Sequence, residues 1–124
     1  MSPHIPSLSE LTPYYNRRDL LEKVVEQVKK DFDWFSFEIK FTGKEDITPY
    51  QELYNQILPL IEGLLNDDYP KLMAMLYRID IDDEFLNRQL KESSHADTDE
   101  VITDLILKRE LQKVIIRQIY SGLM

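Results

Sequence analysis

Apolar residues spaced three and four apart organise most of this chain, the signature of helices that turn one face into a core. Leu21, Val24, Val25, Val28 and Phe32 form the first stripe, with Glu22, Lys23, Glu26, Lys29 and Lys30 outside it. The spacing predicts a helix of about four turns, entered through Asn16 as N-cap with Asp19 at its positive end. Residues 1–16 read as an arm ahead of a single helical domain at 17–124. Pro3, Pro6 and Pro13 interrupt any helix there, while Leu8, Leu11, Tyr14 and Tyr15 supply apolar contacts for folding it onto the body.

The period then changes. From Phe35 to Thr42 the chain alternates strictly, with Phe35, Phe37, Ile39 and Phe41 on one side and Ser36, Glu38, Lys40 and Thr42 on the other, and Gly43 closes the run. Period two is a strand signature, but Arg78–Asp82, the best partner in the chain, is short and crossed by helix signals. Three outcomes fit. The segment lies extended across helices, pairs with its copy in a second molecule, or continues the first helix. The extended reading leads.

Thr48, Pro49 and Gln51 make a helix start, with a threonine cap, a proline in the first turn and a capping-box glutamine. Tyr54, Ile57, Leu58, Ile61, Leu64 and Leu65 give that helix a wide apolar face, and Pro59 inside it predicts a kink. A break is expected from Asn66 to Pro70, followed by a short helix that buries Leu72, Met73, Leu76, Tyr77 and Ile79. Asp82 caps another short helix carrying Phe85, Leu86 and Leu90. After a polar loop from Glu92 to Asp97, a capping box of Asp97 and Glu100 starts a long helix towards Tyr120. The fold expected is a mostly α bundle of about five helices with one extended segment near 35–42.

On that last helix Val101, Ile102, Leu105, Ile106, Ile116 and Ile119 share one face, while Leu107, Leu111, Val114 and Ile115 cluster roughly opposite. A helix apolar on two sides is either central in its own core or shared with a partner. The second reading makes Leu107, Leu111, Val114 and Ile115 a candidate dimer interface, and on it Leu111→Glu yields a folded monomer.

Composition narrows the function. Fifteen Lys+Arg against 23 Asp+Glu give a net charge of −8 in 124 residues, which repels nucleic acid and anionic membrane surfaces. No cysteine is present, so disulfides, thiolate metal sites and a cysteine nucleophile are excluded, as suits a reducing cytoplasm. Residues 1–10 have neither a basic region nor an apolar run, so no signal peptide is expected there. No apolar stretch approaches the ~20 residues of a membrane span. Cytoplasm is the expected location.

Candidate chemistry is sparse. Asp80, Asp82, Asp83 and Glu84 are the densest acids, but a calcium loop begun at Asp80 would put Phe85 at its sharp turn and Lys91 at its bidentate position. Helix caps account for the same acids. Glu22 with Glu26 and Glu100 with Asp104 have the spacing for holding a metal in nucleotide hydrolysis, yet fall on faces the pattern gives to solvent. His4 and His95, the only histidines, lack ligands or catalytic partners at helical spacing. Lys108, Arg109, Lys113 and Arg117 make a basic half-helix that complements the dipole and is a poor nucleic-acid footprint. Trp34, Phe35, Phe37 and Phe41 crowd together, and a groove near them would be walled by Phe37, Phe41, Tyr50 and Tyr54.

Leu72–Asp80, Lys108–Lys113 and the stretch from Leu53 to Tyr69 resemble a group of short bacterial helical proteins of unestablished function, over residues 18–120. The resemblance implies a helical bacterial protein and assigns no site. The sequence therefore points to a non-enzymatic interaction or regulatory module that self-associates or binds another protein. It assigns no cofactor, metal or small-molecule ligand. The rival is a small helical enzyme or ligand-binding protein, for example a metal-dependent nucleotide hydrolase.

Overall fold

The computed structural model describes residues 4–15, 17–93 and 96–122. Five helices carry the fold: α1 Arg18–Asp33, α2 Pro49–Asp67, α3 Tyr69–Arg78, α4 Asp83–Glu92 and α5 Thr98–Tyr120, preceded by 3-10 turns at Leu8–Glu10 and Thr12–Tyr14. No strand occurs among the described residues. Helix α5 is the axis, packed by α1, α2, α4 and the first turn of the arm, while α3 touches only α1 and α2 among the helices it packs against closely. Leu11 of the arm is buried, and Gln112 on α5 donates to the Pro6 carbonyl at 2.9 Å.

The two-sided pattern of α5 is resolved by that axial position. Leu107, Leu111, Val114 and Ile115 are 0–3% exposed and join the same core as Val101, Ile102, Leu105 and Ile106. Each such side chain removed from water contributes roughly 1.5–3 kcal/mol. The candidate interface on α5 is thus corrected: its apolar faces are covered by α1 and α2, leaving nothing for a partner to cover.

Phe35 and Ser36 belong to the turn that ends α1; residues 37–42 of the period-two segment form neither helix nor strand, and they solve the missing-partner problem without a strand. The segment's odd residues pack inward, with Ile39 buried and Phe35, Phe37 and Phe41 half-buried, while its even residues are exposed. The main chain of Lys40 pairs with the side-chain amide of Gln56, N–H to Oε1 at 2.8 Å and Nε2 to the carbonyl at 2.5 Å. One turn earlier on α2, Glu52 accepts from the Thr42 N–H at 2.5 Å, the Thr42 hydroxyl at 3.0 Å and the Gly43 N–H at 3.1 Å. Two side chains spaced four apart on a helix replace a neighbouring strand. Burial alone would raise the Glu52 carboxyl's pKa, but the hydrogen bonds it accepts prevail and hold it below the ordinary value.

Helix ends differ in detail from expectation. Asn16 lies outside the described residues; Arg17 precedes α1 without a side-chain cap. Thr48, Asp68 and Asp82 cap α2, α3 and α4 through their side chains. Asp97 holds the N-cap position of α5 but its side chain makes no capping bond. Helix α2 runs unbroken through Pro59, which is exposed, so the carbonyl of the exposed Asn55 faces solvent where the proline lacks an N–H. Helices α1 and α3 both end in a six-to-one bond, Phe37 N–H to the Phe32 carbonyl and Ile81 N–H to the Leu76 carbonyl. The left-handed residues in these ends are Ser36 and Asp80, with no glycine to signal them.

Candidate functional site

The four aromatics proposed as groove walls do not converge. Tyr50 stacks with Tyr54 at 6.1 Å between ring centres and meets Tyr15 at 5.3 Å. Its hydroxyl donates to Asp104 on α5, whose other oxygen pairs with Lys108 at 2.8 Å. Burial, and then the Asp104 carboxylate, push the Tyr50 phenol's pKa upward. Phe37 instead lies under the Lys71 ammonium, 4.4 Å from the ring centre. Only Phe41 lines the nearby cleft of about 480 Å³, whose other walls include Tyr15, Arg18, Glu22 and Lys44.

A polar cluster that pattern reading passed over lies between α1, α3 and α5. Asp31 is 3% exposed and Glu110 is fully buried. Asp31 accepts from Arg78 Nε at 3.1 Å and Gln27 Nε2 at 3.0 Å, with Lys113 Nζ at 3.9 Å. No N–H or hydroxyl among the described residues reaches either Glu110 oxygen within hydrogen-bond distance; Lys113 Nζ stands 3.7 Å away. Complete burial, and then the neighbouring Asp31 carboxyl, raise the Glu110 pKa to about 9. The raised pKa favours the neutral form of Glu110, beside an Asp31 that accepts from Arg78 and Gln27. Burial pushes Asp31 upward too, but the Glu110 proton, Gln27, Lys113 and Arg78 prevail and hold it below the ordinary range. The pair lies where three helices meet, and neither carboxyl lines any of the principal clefts among the described residues. The signal in the sequence was position: Asp31 follows Val24 by seven residues and so sits on the apolar stripe of α1.

The third feature is the outside of α3. Its core face carries Leu72, Met75 and Leu76, all buried, and Ile79 just beyond the helix. On the opposite arc of about 140°, at 100° per residue, stand Tyr69, Pro70, Met73, Ala74 and Tyr77. No charged residue lies on that arc. Tyr69 is 53% exposed and Tyr77 81%. Tyr77 thus departs from the expectation that this helix buries it. At the shoulder Arg78 stacks over Trp34 at 4.5 Å, and Trp34 itself is 70% exposed. Trp34 is still helical at the end of α1 and lies about 200° around the helix from the buried Phe32, so it faces outward.

The remaining sequence candidates stay dispersed. His4 is exposed and pairs with Glu10 at 3.2 Å; His95 lies outside the described residues. Glu22 and Glu26 point to solvent, and Asp104 is engaged by Tyr50 and Lys108. Asp80 pairs with Arg109 at 3.6 Å, and Asp82 is spent as a cap. Asp97, Asp99 and Glu100 bring carboxylates within 4.8 Å of one another at the start of α5, where acids complement the helix dipole. Comparison with family models, with curated proteins and with solved structures finds no match to this chain.

Proposed function

We propose that the chain is a non-enzymatic interaction module, regulatory in character, that works by self-association. The supporting observation is the outer face of α3, an uncharged aromatic arc on a chain in which 31% of residues are charged. Tyr, Trp and Arg are the residue types that dominate binding hot spots; Tyr77 is exposed on this arc, and at its shoulder Arg78 stacks over the exposed Trp34. A net charge of −8 argues against nucleic acid as the partner. No described helix is long and apolar enough to cross a membrane, and the lack of cysteine suits the cytoplasm as the proposed location.

Light scattering on a sizing column, run across a concentration range, tests this reading. A mass that rises from one chain to two supports self-association, and one chain throughout rejects it. The ligand-binding alternative attaches to the cleft beside Phe41. A small molecule that raises the melting temperature of the native chain, but not of Phe41→Ala, would favour that alternative.

A further inference from the structure

We infer that the cleft between α1 and α5 binds a compact, multiply charged phosphate of the class of inorganic diphosphate. Helix α1 supplies Lys23, Glu26, Gln27 and Lys30, which share one face at spacings of three and four. Helix α5 supplies Val114, Arg117 and Gln118, and the cleft between them measures about 400 Å³. Three cations stand there against one carboxylate, in a chain whose net charge is −8. Acid is in surplus overall, yet among the described residues Lys23, Lys30 and Arg117 form no salt bridge. Glu26 precedes Lys30 by four residues, the spacing at which helical ion pairs form, and even that pair is not made.

The arrangement is built into the fold. Helices α1 and α5 pack against each other, so the cations spring from two rigid elements and not from a loop. Gln27 steadies one of them: its Oε1 accepts from the Arg117 guanidinium, and its Nε2 donates to Asp31 at 3.0 Å. Asp31 is buried and held in turn by Arg78. A guanidinium carries five N–H donors; Gln27 occupies one of those on Arg117 and leaves the others for an oxyanion. Val114 is the one apolar side chain on the lining, so the cleft lacks the apolar walls that hold an organic ligand. Charge and hydrogen bonds are what it offers, and three cations less one carboxylate match an anion of two or more charges. Phosphate oxygens take lysine as a point charge and arginine through its planar fork. The acidity of the whole chain does not forbid this, because charges beyond ~8 Å are largely screened at physiological salt. A small ion inside the cleft senses mainly its lining, whereas a long nucleic acid would extend over the acidic surface. This site stands independently of self-association.

The test is titration calorimetry of the full chain with sodium diphosphate at constant ionic strength. The expected result is one diphosphate per chain with a Kd below about 1 mM, and much weaker binding of sulfate. Lys30→Gln and Arg117→Gln should each weaken binding about tenfold, the loss of one charge-assisted hydrogen bond. Glu26→Gln removes the only carboxylate on the lining and should tighten binding about threefold. Positions 26, 30 and 117 are exposed, so the melting temperature of the unliganded variants should stay near that of wild type. If Arg117→Gln lowers it by releasing Gln27, Lys30→Gln and Glu26→Gln decide alone. Arg88→Gln, whose cation lines the separate cleft between α4 and α5, should bind as wild type does. No saturable binding up to about 10 mM overturns the site. So does binding that Lys30→Gln leaves intact, because the ion is then held elsewhere. Sulfate bound as tightly as diphosphate also overturns it, since the cleft would then offer only diffuse positive charge.

Discussion

Helices α5 and α3 carry apolar residues on two sides, and the structure uses them in opposite ways. Helix α5 has 23 residues and neighbours on both faces, so its second stripe is filled from within the chain. Helix α3 has 10 residues, joins the bundle chiefly through α2 and α1, and on its second face half-buries Met73 but leaves Tyr69 and Tyr77 to solvent. A two-sided pattern states that both faces favour cover. What supplies the cover depends on where the helix sits, and a peripheral helix has no neighbour left to do it. The axial helix has no second face left to share, and the peripheral one leaves Tyr69 and Tyr77 in solvent.

Substitutions at the two sites separate these roles. Leu111→Glu places an unpaired carboxylate where exposure is 2%, at a cost of about 4 kcal/mol or more. It should unfold the chain or lower its melting temperature steeply by circular dichroism, in place of the folded monomer an interface position would give. A folded Leu111→Glu monomer would restore the α5 interface and remove the contrast.

Glu110 on α5 tests how tightly the axial helix is enclosed. Its folded pKa of about 9 lies above the ordinary 4.5. A raised acid contributes stability that is complete below the ordinary pKa and is lost as pH rises towards the folded value. Unfolding free energy should therefore fall between pH 4.5 and 9, by about 1.4 kcal/mol per unit at most. Glu110→Gln should flatten that slope and make the protein more stable than wild type at pH 8. Equal slopes in urea titrations would mean that Glu110 is ionised and the α1–α5 junction is open to water.

A smaller effect is expected where the chain leaves α1. Glu52→Ala removes the acceptor for three hydrogen bonds to Thr42 and Gly43, a loss of about 2 kcal/mol. Amide exchange should quicken at Thr42 and Gly43 and stay slow in α5. Uniform loss of protection would instead make the extended segment part of the core's cooperative unit. Smallest of all, Tyr77→Glu should change stability by less than ~0.5 kcal/mol, since the side chain is 81% exposed. A drop comparable to that of Leu111→Glu would show α3's outer face to be packed, and would erase the difference between the two helices.

Much of the architecture was legible because it follows from local periodicity. The stripe from Leu21 to Phe32, the caps at Thr48 and Asp82, and the alternation from Phe35 to Thr42 each report a backbone state through neighbours within a turn or two. The helix ends at Ser36 and Asp80 were not legible, because those residues take the left-handed conformation in place of the glycine that usually marks it. Asp31 and Glu110 escaped notice because carboxylates ordinarily lie outside; here each lies on a buried helix face, and the two meet only across the α1–α5 junction.

By itself the sequence determined a small acidic chain of helices, with one period-two segment for which extended, strand-paired and helical readings all fitted. Only the tertiary structure decided which apolar faces found cover, that two side chains of α2 stand in for a missing strand, and that the carboxyls of Asp31 and Glu110 are both buried. Those outcomes depend on residues far apart in the chain meeting in space. Periodicity specifies which way a side chain points along its own helix and is silent about what it meets there.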